Sequence, residues 1–104
     1  MQNFGLTEYT IEQIHRILRQ YPEVESAVIY GSRAKGNYRE GSDIDLALKG
    51  VNLNYDMLLQ ISSRLEDAST PYLFDLSIYH QLTNPALIEH IDRIGQIFYQ
   101  NKDF

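Results

Sequence analysis

Between Tyr30 and Leu46 the chain runs Y-G-S-R-A-K-G-N-Y-R-E-G-S-D-I-D-L. An apolar run ends at Gly31-Ser32, a polar segment containing Gly36 and Gly41 follows, and an Asp-x-Asp pair opens the next run. Glycine breaks a strand, and residues 32–36 can form a helical turn before the loop over 36–41. The stretch therefore predicts two strands joined by a short turn and a loop, with acidic residues at the return.

Working outward, Ser26–Tyr30 carries A-V-I-Y, a continuous run with β-branched residues. That composition predicts a strand buried on both faces. Asp43–Lys49 alternates instead. Ile44, Leu46 and Leu48 fall on one face, while Asp43, Asp45 and Ala47 fall on the other. Leu73–Ile78 alternates too, with Phe74, Leu76 and Ile78 opposite Leu73, Asp75 and Ser77. Asp75 thus stands to its strand as Asp45 does to its own. If the two strands are neighbours in register, three carboxylates converge on one sheet face.

Helices fill the intervals. Residues 7–20 carry Ile11, Ile14, Ile17 and Leu18 as an apolar stripe behind a Thr7 cap, and Pro22 ends the run. Tyr55–Ala68 follows Asn54, with Leu58, Ile61, Leu65 and Ala68 on one face. Asn84-Pro85 starts a third helix bearing Leu87, Ile88, Ile91 and Ile94, and Gly95 is a natural C-terminal stop. Gln96–Tyr99 reads as a short last strand. His15, His80 and His90 have no metal-ligand pattern around them. Tyr9, Tyr38, Tyr72 and Tyr79 are boundary aromatics able to serve a partner interface.

Composition narrows the class. The 104 residues fit one domain, 1–104, and 43% hydrophobic with 22% charged argues against global disorder. There is no cysteine, which excludes disulfides and Cys-based zinc sites. The net charge of −5 makes a general phosphate-backbone binder a poor fit, so DNA is not expected as a partner. Arg33, Lys35 and Arg39 nevertheless gather in one short loop region, which suits a small phosphate ligand. Nothing reads as a secretory leader or a membrane span, and a cytoplasmic protein is expected.

Two carboxylates one residue apart on a strand point the same way and can share hard divalent cations, for which oxygen is the preferred ligand. A third carboxylate completes a ligand set for phosphoryl transfer and can take a proton from the attacking hydroxyl. Asp43, Asp45 and Asp75 are the candidates for catalysis and metal binding. A triphosphate needs a cradle as well. Gly31 allows close backbone approach, Ser32 offers a hydroxyl and an N–H, and Arg33 and Lys35 add charge. The loop is not a Walker A motif, because G-S-R-A-K-G lacks the required spacing and the final Lys-Ser/Thr.

The pattern G-S-x-A-x-G-x-x-x-x-x-S-D-x-D-L over residues 31–46 resembles the signature of the DNA polymerase beta-like nucleotidyltransferases. Within that superfamily the chain is similar to the minimal nucleotidyltransferases, whose Gly-Ser and Asp-x-Asp core is matched by Gly31, Ser32, Asp43 and Asp45, with ten residues between Ser32 and Asp43. Asp75 in F-D-L matches the third carboxylate. The resemblance implies an α/β fold: a small mixed β-sheet with helices packed on one face. It places Ser42 with Gly31, Ser32, Arg33 and Lys35 at the nucleotide. It implies two Mg²⁺ ions, with Mn²⁺ as an alternative, and ATP as donor of a nucleoside monophosphate. It also implies a helical HEPN-domain protein as partner, in a hetero- or homo-oligomer, with the chain as antitoxin adenylylating a tyrosine of the toxin. Two other readings stay open at this point: an antitoxin acting by occlusion without catalysis, and a small-molecule transferase resembling the aminoglycoside-modifying relatives. A chain of this length leaves the acceptor's surface largely to a partner or a second subunit.

Overall fold

The computed structural model describes residues 3–102, so the two outermost residues at each end of the expected 1–104 domain lie outside the described residues. In order, the elements are α1 (Glu8–Arg19), β1 (Ser26–Tyr30), α2 (Gly31–Lys35), β2 (Ile44–Lys49), α3 (Tyr55–Asp67), β3 (Phe74–Ile78), a single 3₁₀ turn at Tyr79–Gln81, α4 (Pro85–Ile94) and β4 (Gln96–Gln100). The boundaries follow local chemistry. The Thr7 hydroxyl accepts from the Thr10 amide at the start of α1, Asn54 accepts from Met57 at α3, and Asn84 accepts from Ala86 and Leu87 at α4. Each cap satisfies amides that have no partner inside the helix.

The four strands form one mixed sheet in the order β3-β2-β1-β4. β1 pairs antiparallel with β2 and β4, and β2 pairs parallel with β3. The parallel pairing requires a crossover, which α3 supplies. A bulge between Ala27 and Val28 adjusts the register against β4.

Alternation along the strands sorts the core. On one face Ala27, Ile29, Ile44, Leu46, Leu48 and Ile78 pack with Ile14 and Leu18 of α1 and with Ile61 and Leu65 of α3. Burying each such Leu or Ile side chain contributes about 1.5–3 kcal/mol. On the other face Val28, Tyr30 and Ala47 pack with Ile91, and Leu87 lies against them. The long helices α1 and α3 share a face, as expected. The short α4 is the exception and seats its Leu87–Ile91 stripe on the opposite one. That face is the one from which Asp45 and Asp75 project, so α4 borders the acids.

Gly95 ends α4 as expected, though not in the left-handed conformation common at such stops. Its φ is −61° and ψ is 148°, which any residue adopts. A Cβ there would lie 2.4 Å from the Ile91 carbonyl oxygen and 2.5 Å from Val28 Cγ1. The glycine is there for close packing of α4 on β1.

Candidate active site

Asp45 and Asp75 are direct partners in the parallel ladder between β2 and β3. Identical alternation then sends both carboxylates to the same face. Asp43 lies two residues earlier, ahead of the first residue of β2, and is exposed, as is Asp75. Asp45 is only partly exposed. Burial pushes its carboxyl up from 3.8 to about 6, and the charges of Asp75 and Asp43 add in the same direction. Burial likewise raises the neighbouring Tyr30 phenol, with Asp75 and Asp45 contributing. Asp45 and Asp75 therefore share one face, and the charge of Asp43 acts on Asp45 from just ahead of the strand.

They do not close on a point. Among the described residues no group of three or more His, Cys, Asp or Glu side chains is arranged to hold a metal ion. Of the convergence anticipated for the three carboxylates, the ladder brings Asp45 beside Asp75, with Asp43 just ahead of β2. Asp43 precedes the ladder that fixes Asp45 and Asp75, so its position is the least constrained of the three. The donor set itself is oxygen-only and anionic, which fits a hard divalent cation in kind.

Gly31 opens α2 directly under Asp45. Its φ is +72°, a conformation that glycine adopts without penalty, and a Cβ would lie 2.3 Å from Asp45 Oδ2. Any side chain at this position would collide with the carboxylate. Ser32, half-buried, makes no side-chain hydrogen bond among the described residues, so its hydroxyl is available. Lys35 is exposed in the last turn of α2. The far end of that turn is held by Gln96, whose Nε2 donates to the Ala34 carbonyl at 3.2 Å.

Arg33 departs from the expected role. It is 2% exposed. Its Nε and one terminal nitrogen donate to the Ser42 carbonyl at 3.2 and 2.9 Å, and its other terminal nitrogen donates to the Phe4 carbonyl at 2.9 Å. A longer bond of 3.4 Å reaches the Glu40 carbonyl. The rings of Tyr38 and Tyr72 lie 5.1 and 4.8 Å from the guanidinium carbon. A planar cation with a fork of donors suits this enclosure of carbonyls and ring faces. Arg33 ties the loop before Asp43 to the body of the protein and does not point its charge at a phosphate. Ser42 belongs to the same structure. Its hydroxyl accepts from the Arg39 amide at 2.8 Å while its carbonyl receives Arg33. Two of the tyrosines considered for a partner surface are thereby accounted for.

One residue that the sequence left without a role touches the site. The Gly31 amide donates to His90 Nε2 at 3.1 Å, and the His90 ring stands edge-on to Tyr30 with centroids 6.0 Å apart. The other partly buried histidine, His15, is structural: its Nε2 donates to the Phe98 carbonyl at 2.8 Å.

Comparison with known proteins places this geometry. The family model described as Polymerase beta, Nucleotidyltransferase matches residues 12–104. The chain belongs to that family. No curated protein matches the sequence. Solved structures share the fold at low identity. A toxin–antitoxin complex with AMP-PNP contains a chain of TM-score 0.71 and 20% identity, with 89% of this chain and 75% of that one covered. The toxin–antitoxin MntA–HepT gives 0.67 and 17%, covering 93% and 75%. A complex of a tri-AMPylated Shewanella oneidensis HEPN toxin with its MNT antitoxin gives 0.68 and 17%, covering 94% and 76%.

Proposed function

We propose that this nucleotidyltransferase moves AMP from ATP onto a tyrosine of a HEPN-type partner protein and acts as the antitoxin of that pair. One observation carries the reading: the ladder sets Asp45 beside Asp75 while Gly31 passes beneath Asp45 with no room for a side chain. In this reading a nucleotide's phosphates would meet the acids there. The structural likeness to a nucleotide-bound toxin–antitoxin complex and to one whose toxin carries AMP supports the donor and the acceptor class. A site using ATP fits the cytoplasm, and no described helix is long and apolar enough to cross a membrane.

In this reading the acceptor oxygen forms a bond to the α-phosphorus, the bond from that phosphorus to the bridging oxygen breaks, and pyrophosphate leaves. Asp43, Asp45 and Asp75 would hold two Mg²⁺ ions, which supply charge neutralisation at the transferring phosphorus when bound. Asp75, exposed on the outer strand, accepts the proton from the acceptor hydroxyl. Ser32 donates to the phosphates. Arg33 and Ser42 act on the nucleotide only through the loop they fix, and Lys35 is the cation of the turn that remains exposed.

The test is incubation with labelled ATP, Mg²⁺ and the product of the adjacent gene. Label should appear on the partner and fall by at least about a hundredfold with Asp43→Ala. No label, or undiminished label with Asp43→Ala, overturns the reading. A second reading is neutralisation by occlusion, with catalysis incidental or lost. Full neutralisation by Asp43→Asn/Asp45→Asn would establish it.

A further inference from the structure

The first amide of a helix has no partner inside that helix. At α2 that amide belongs to Gly31, and its partner comes from 59 residues away, at His90 Nε2. An accepting ring nitrogen carries no proton, so His90 is neutral and bears its hydrogen on Nδ1. The ring's position is built in from several directions. Ile91 and Leu87 seat α4 on Val28, Tyr30 and Ala47, and Gly95 lets the end of α4 approach Val28 closely. Tyr30, the residue preceding Gly31, lies edge-on to the imidazole.

We infer that His90 is a positioning residue for the nucleotide site. It holds the Gly31 amide away from the acids and fixes the entry into α2, so that the Ser32 hydroxyl and amide, not Gly31, meet the phosphates. The inference rests on the nucleotide-transfer reading for its consequence but not for its geometry. A second result follows for the site: the short turn is anchored at both ends by non-local side chains, His90 at Gly31 and Gln96 at Ala34. It is therefore pre-set before a ligand arrives, which lowers the ordering cost of binding.

Two measurements decide it, on the full chain. Nitrogen-15 NMR of the histidine rings in the free protein should show His90 protonated at Nδ1, and the Gly31 amide should shift and exchange faster in His90→Leu. ATP binding with Mg²⁺ should weaken by about tenfold in His90→Leu and recover to within about threefold in His90→Gln, whose amide oxygen can accept the same hydrogen bond. In transfer assays the change should appear in KM for ATP with kcat nearly unchanged. A ring protonated at Nε2 overturns the inference, as does wild-type ATP affinity in a folded His90→Leu. Should the protein transfer no nucleotide at all, the proposed function fails while the ring tautomer and the Gly31 amide still decide the role of His90.

Discussion

Arg33 shows how one side chain can be misread when its type is considered without its surroundings. A guanidinium in a glycine-bounded loop beside two acids looks like a phosphate ligand. Here it is enclosed, with carbonyls of Phe4, Glu40 and Ser42 as acceptors and two tyrosine rings against it. Arg33→Lys keeps the charge but loses the fork, leaving buried or part-buried carbonyls unpaired. It should lower stability by about 2 kcal/mol in urea unfolding. Near-normal stability with abolished ATP binding would instead make Arg33 a phosphate ligand. The partners of Arg33 include residues 29 and 39 positions away, and no local pattern announces them. Gly31 was legible for the opposite reason: its break sits at the end of a strand, and its requirement for glycine comes from the side chain of Asp45, the ladder partner of the preceding Tyr30.

At the scale of elements, the start and stop signals were plain, because a capping hydroxyl or amide and a proline act on their own few residues. Thr7, Asn54 and Asn84 all cap as their sequence positions indicate. What the stripe on α4 cannot state is which face of the sheet receives it. Leu87 and Ile91 are as suitable for one side as for the other, and His90 acquires its contact with Gly31 only through that choice. Gly95 is the residue on which the seating depends. Gly95→Ala places a methyl against Val28 and the Ile91 carbonyl with no backbone strain to complicate the result. Overpacking of this kind should cost about 1–3 kcal/mol, seen as a fall in the thermal midpoint of roughly 4–8 °C per kcal/mol. An unchanged midpoint would mean that α4 is not tightly seated on β1.

Over the whole molecule, three acids whose charges meet at Asp45, in a chain of net charge −5, make the site a source of instability in the free protein. The Asp45 carboxyl is pushed up from 3.8 to about 6 by burial and by Asp75 and Asp43. The folded protein therefore holds a proton over that interval that the unfolded chain has released. Stability should fall as pH rises from about 4 through 6 and stay low above it. Because Asp45 is partly solvated, the loss should be about 1–2 kcal/mol, less than an unscreened shift would give. Circular-dichroism melts in EDTA across this range check the sign. Adding Mg²⁺ near pH 7.5 should restore the loss and near pH 4.5 should not; a flat profile would remove the coupling. The strand pairing behind this field was legible as a condition, that Asp45 and Asp75 be neighbours, since alternation gives the face of each but not the register between them. The one parallel pairing of the sheet is also the one that joins those acids, and its connection passes through α3. During translation, a chain that has released β1, α2 and β2 already carries the glycine turn and the acidic pair, yet has no third carboxylate. That group arrives with β3, and the histidine that sets the turn arrives later still. Under the proposed nucleotide transfer, competence would therefore wait for β3 and α4, which leave the ribosome after the glycine turn and the acidic pair.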